Sequence, residues 1–84
     1  MKKLAVYDSS VNQFRTYTNI DLDSVNEYCF VQITANATEN NAPCFGRVMC
    51  TPQDVGFQIA VAQNDGTLYV RGHNWMTWSD WKAI

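Results

Sequence analysis

The run FQIAVAQNDGTLYVR, residues 57–71, constrains the fold of this chain more than any other stretch. Phe57, Ile59 and Val61 alternate with Gln58, Ala60 and Ala62, and Leu68 and Val70 alternate with Thr67, Tyr69 and Arg71. A period of two marks strands that turn one side to a core. Between the two strands stands Asn64-Asp65-Gly66, and Asp-Gly accepts the positive φ angles of a tight hairpin turn. Two registers are open. A two-residue loop, Asp65-Gly66, sets Val61 opposite Val70 on the apolar side, with Ala62 opposite Tyr69 and Ala60 opposite Arg71 on the other. A three-residue loop with Gly66 in a bulge sets Val61 opposite Tyr69.

Beyond the hairpin, Trp75, Trp78 and Trp81 recur at every third position. On a helix they would share a face, but Thr77, Ser79 and Asp80 are poor helix formers, so the sequence predicts an extended closing strand with a turn near Ser79-Asp80. Trp75 and Trp81 then point one way and Trp78 the other. Upstream, residues 4–7 and 13–18 read as a first hairpin around Asp8-Ser9-Ser10. Residues 28–34 read as a strand, 35–43 as an exposed loop rich in Asn, Ala and Thr, and 45–50 as another strand before the turn Thr51-Pro52-Gln53-Asp54. Ser24-Val25-Asn26-Glu27 fits a capping box, which predicts one short helical turn near residues 24–27. The expectation is an all-β fold, a mainly antiparallel sheet or sandwich.

A chain of 84 residues holds one domain with a small core, which directs attention to oligomerisation. Hydrophobic content of 46% with 17% charged residues belongs to a folded protein. The net charge is −2 and the basic residues Lys2, Lys3, Arg15, Arg47, Arg71 and Lys82 are scattered, which argues against nucleic acid as a partner. The apolar run after Lys2-Lys3 stops at Asp8-Ser9, too short for a signal-peptide core or a membrane span, so neither secretion by the ordinary route nor membrane insertion is expected. Cys29, Cys44 and Cys50 form an odd set without a Cys-x-x-Cys pair. Reduced, mostly buried thiols are the plain reading, and a Cys44 to Cys50 bridge is the alternative.

Catalytic chemistry has little support in these residues. There is one histidine, His73, and no Gly-x-Ser-x-Gly nucleophile. Asp21 and Asp23 stand where acidic side chains cap a helical turn, and the histidine and separated cysteines have no metal-ligand spacing. No enzyme, cofactor or metal is expected. The aromatic residues remain: Trp78 and Trp81, with Phe57 and Tyr28, read as core or subunit-interface residues, because an indole in so small a domain buries a large area. Trp75, flanked by Asn74 and Met76, reads either as a sugar-stacking indole or as a subunit contact. Arg71 reads as a partner for an acidic group, an indole-stacking cation, or an internal hydrogen bond that fixes the tail.

The run FQIAVAQNDGTLYVRGHNWMTWSDWKAI resembles the C-terminal knob domain of bacteriophage tail fibres, also found on fibre-like bacteriocins. The matching positions are Tyr69-Val70-Arg71, then Trp78-Ser79 and Trp81-Lys82. Upstream, Asp21-Leu22-Asp23-Ser24-Val25 is similar to the family's opening turn, residues 28–32 to its first aromatic strand, and Asn41-Ala42-Pro43 to the loop before its next strand. Glu27 stands where the family usually carries glycine.

The resemblance covers residues 20–84 and leaves residues 1–19 as an N-terminal hairpin or attachment arm. It implies a homotrimeric virion protein, assembled in the bacterial host cytoplasm, that docks on another virion protein through residues 1–19. Tyr69, Arg71, Trp78 and Trp81 would be structural or interface residues. His73, Asn74 and Trp75, joined by the loop 36–41, would form a site for a host-surface glycan. With only nineteen residues before the match and no shaft, a capsid or tail decoration protein that binds other virion subunits is the second expectation.

Overall fold

In the computed structural model the described residues are 14–84. They form one six-stranded sheet in the order β1-β2-β3-β4-β5-β6, comprising Arg15–Thr18, Cys29–Ile33, Gly46–Cys50, Phe57–Ala62, Leu68–Gly72 and Lys82–Ala83. The all-β expectation holds, as a single mixed sheet and not a sandwich. β1 runs parallel to β2 and every other neighbour pair is antiparallel. A parallel pair needs a crossover, and residues 19–28 supply it. Most of the predicted first hairpin lies outside the described residues. Arg15–Thr18, at the end of the 1–19 segment, is a strand of the same sheet as the rest.

The helical turn is Leu22–Ser24, a 3-10 turn, and not residues 24–27. Its cap is Asp21, whose carboxylate accepts the backbone N–H of Asp23 at 2.9 Å. Ser24 therefore lies inside the turn, and its hydroxyl donates back to Asp21. Glu27, the far end of the expected capping box, instead accepts the Tyr17 hydroxyl. The Asn41 amide, donating to Asp21 at 2.8 Å, is the main reason its carboxyl sits below the ordinary value.

The hairpin adopts neither expected register. Val61 faces Leu68, Ile59 faces Val70 and Ala60 faces Tyr69, so the loop is the four residues 63–66. Gly66 takes φ 73° but Asp65 keeps a negative φ, so the two-residue turn that needs positive φ at both central positions does not form. The Asp65 carboxylate accepts the Thr67 N–H, while Gly66 N–H closes on the Ala62 carbonyl. Relative to the two-residue loop the pairing is slipped by two, which preserves the side on which each residue lies.

The buried side, however, is the opposite of the one the alternation suggests. Gln58 and Ala60 are fully buried and Arg71 nearly so, whereas Phe57 and Val61 stay 43% and 44% exposed. The reason is where the loops go. The crossover and the loop 34–45 both lie over one face, pinned together by the Leu22 N–H to Asn40 carbonyl bond. Leu22 and Val25 join Cys29, Val31, Ile33, Val48, Cys50 and Ala60 in a core of eight buried residues. Across the other face, register pairs align Phe30, Met49, Ile59 and Val70 in one row. None of these four packs on the core.

Candidate functional site

β5 delivers Arg71 to the covered face, where it organises the C-terminal segment. Its Nε donates to Gln58 Oε1 at 2.9 Å, and its Nη1 pairs with Asp23 Oδ1 at 2.9 Å. The guanidinium lies 4.4 Å from the ring centroid of Trp78 and 4.7 Å from that of Trp81. A planar cation is suited to this stacking. Gln58 passes the connection on, its amide donating to the Leu22 carbonyl. Burial pulls the guanidinium below its ordinary value, and Asp23 opposes that pull. Nη2 is buried without a partner.

The two indoles latch the covering loops. Trp81 Nε1 donates to the Asn41 carbonyl at 2.9 Å and Trp78 Nε1 to the Asp23 carbonyl at 3.4 Å. Both rings reach one guanidinium, so they do not diverge as a continuous strand would require. The strand is interrupted: His73 bridges Trp78, a turn occupies residues 74–77 in place of the one expected near Ser79-Asp80, and β6 holds only Lys82–Ala83. Tyr69, the other expected structural residue, packs against the core from β5.

The turn that replaces the strand separates the expected ligand trio. His73 is buried, its ring edge-on to Trp78 at 4.8 Å, and its backbone N–H donates to the Gly56 carbonyl. Asn74 spends its Oδ1 accepting the Met76 and Thr77 N–H groups. Asn74 is itself exposed, and so is Trp75. It is 69% exposed beside Met76 at 82%, and it holds φ 84°, a left-handed value costly for a tryptophan. Its own N–H donates to the Asp54 carbonyl, which fixes the turn against residues 54–56.

The loop 36–41 does not meet Trp75 itself but the Trp78–Trp81 side of the same turn. There an open cleft of about 660 Å³ is lined by Thr38, Asn41, Gln53, Met76, Trp78 and Trp81, among others. Its mixture of indole faces, amides and hydroxyls suits a polyhydroxylated ligand. Among the described residues no group of three or more His, Cys, Asp or Glu side chains is placed to hold a metal ion. No helix among them is long and apolar enough to cross a membrane.

All three cysteines are free, so the Cys44 to Cys50 bridge is not formed. Cys29 and Cys50 face each other across β2 and β3, both fully buried. Burial raises both thiols, Cys50 to about 12, and raises the partly exposed Cys44 as well. The attacking species in alkylation is the thiolate. Native protein at pH 8 is therefore expected to take one iodoacetamide, at Cys44, and three only after denaturation. Peptide mass mapping checks this; early labelling of Cys50 would contradict the buried pair.

Comparison of the chain with protein families, with curated proteins and with solved structures found no match.

Proposed function

We propose that this chain is a non-catalytic binding module. More particularly, it is the knob of a bacteriophage fibre, homotrimeric, docked on the virion through residues 1–19 and attaching to a host-surface glycan. The observation that carries the reading is Trp75. Its indole is 69% exposed, on a turn whose φ of 84° costs on the order of 1–3 kcal/mol for a non-glycine residue. No core packing offsets that cost, so the residue is better explained by what it meets outside the chain. The neighbouring cleft adds the hydroxyl and amide groups that a sugar requires. One stacked ring and a few hydrogen bonds give a weak single site, and several copies on one particle raise the attachment through effective concentration.

The second reading, a capsid or tail decoration protein that binds other virion subunits, is favoured by the apolar row Phe30, Met49, Ile59 and Val70, which does not pack on the core. Trp75→Ala separates the two. Normal incorporation into particles with lost adsorption to cells supports the glycan; lost incorporation with the fold intact assigns Trp75 to assembly.

A further inference from the structure

We infer that Arg71 and Asp23 form the polar centre of the cleft beside Trp78 and Trp81, and that its ligand is a neutral saccharide, one hydroxyl of which accepts from Arg71 Nη2 and donates to Asp23. The inference rests on the proposed glycan reading and narrows it from any glycan to an uncharged one. A guanidinium carries five N–H donors, and a buried donor without an acceptor is costly. Arg71 spends Nε on Gln58 and Nη1 on Asp23, each at 2.9 Å. Its Nη2 has no acceptor among the described residues, although the side chain is only 5% exposed. Arg71 and Asp23 both line the cleft. A donor that is buried, unpaired and on a cleft wall marks where a ligand oxygen belongs.

The neighbouring carboxylate decides what kind of oxygen. Asp23 is half exposed in its side chain, with Oδ1 on Arg71 Nη1 and its other oxygen left for a ligand donor. An ionised carboxylate accepts but cannot donate, so it would answer Arg71 and set a like charge against Asp23. An ammonium donates but cannot accept, so it would answer Asp23 and repel the guanidinium. A hydroxyl has one donor and two lone pairs and serves both at once. Water has the same capacities but no ring to pack on an indole.

The charge of the cleft points the same way. Arg71 is the only lysine or arginine that lines it, and it is buried and paired, whereas the exposed Asp80 adds a second carboxylate to that of Asp23. An acidic sugar therefore meets accessible negative charge. Access to the buried Nη2 requires an indole to shift. Trp78 Nε1 holds the Asp23 carbonyl at 3.4 Å, beyond the usual N–H to oxygen range, while Trp81 Nε1 holds Asn41 at 2.9 Å. Trp78 is therefore the ring that yields, and its indole N–H reports the binding.

Heteronuclear NMR on the labelled full chain tests this, reading the Nε1–H signals of Trp75, Trp78 and Trp81 and the Arg71 Nε–H. The probes are the methyl glycosides of glucose, galactose and mannose, the matching methyl uronates, and acetamide, which donates and accepts without a ring. At matched ionic strength the neutral glycosides should shift Trp78 and Arg71, and the uronates should bind about tenfold more weakly. Asp23→Asn keeps an oxygen for Nη1 and should close most of that gap; the wild-type comparison decides alone if the variant fails to fold. Uronates that bind wild type as well as the neutral glycosides overturn the inference and leave the glycan reading standing. Shifts confined to Trp75 overturn the role of Arg71 and Asp23 and place the sugar on the outer turn. Acetamide acting as strongly as the glycosides overturns the saccharide as the recognised group. No shift from either class of sugar overturns both the inference and the glycan reading.

Discussion

Arg71→Ala is expected to lower stability by about 3–5 kcal/mol, the range for removing one member of a buried charged network or emptying a packed site. The ion pair itself is the smaller part. Asp23 is 47% exposed in its side chain and returns to water when its partner is gone. The larger part comes from Gln58, which is fully buried and loses the donor to its Oε1, and from the gap left between the two indole faces. For a domain of this size each kcal/mol moves Tm by about 4–8 °C, so the loss is large on a thermal melt.

Arg71→Lys discriminates the cause. A lysine keeps the charge near Asp23 but lacks both the planar stacking surface and the Nε donor. It should therefore recover only a minor fraction of the stability. Recovery to near wild type would show that charge alone matters and that the stacked geometry is incidental. The same variant bears on function, because Trp78 and Trp81 line the cleft and tie down the Asp23 and Asn41 backbones. Loosening the hub should weaken whatever the cleft binds.

How far the sequence carried the fold can be read from the hairpin. Strict alternation in residues 57–62 and 68–71 located both strands and grouped their side chains correctly, because the side-chain period survives a slip of two. It could not reveal which side was buried. Hydrophobicity pointed to Phe57, Ile59 and Val61, yet burial went to Gln58 and Ala60, because loops distant in sequence cover that face and bring Leu22 and Asp23 with them. A glutamine aligned across the strands with an arginine offers donors and acceptors that can satisfy each other, and this was the signal available. It is weak without knowing the register.

The site was legible in the same partial way. Trp75 was singled out because amide and apolar neighbours surround it, and the structure presents it outward. His73 and Asn74 were grouped with it by adjacency, but a turn gives adjacent residues different tasks: one ring packs inward and one amide caps the backbone. Spacing of three in the tryptophans suggested a periodic element. The actual element is a strand broken by that turn, which returns Trp78 and Trp81 to one guanidinium.

Gly46→Ala is the second substitution with a large expected effect, about 2–6 kcal/mol, combining 1–3 for the strained backbone with 1–3 for overpacking. Gly46 holds φ 155°, and a Cβ built there overlaps the Val61 carbonyl oxygen. Backbone is what it meets, so no side-chain rotation relieves the overlap. β3 must separate from β4 at the end where Gly46 faces Ala62, and the neighbouring Gln63 N–H to Phe45 carbonyl bond is strained with it. A thermal melt checks this. A Tm within a few degrees of wild type would mean that the β3–β4 pairing accommodates a methyl group here, contrary to the close approach described.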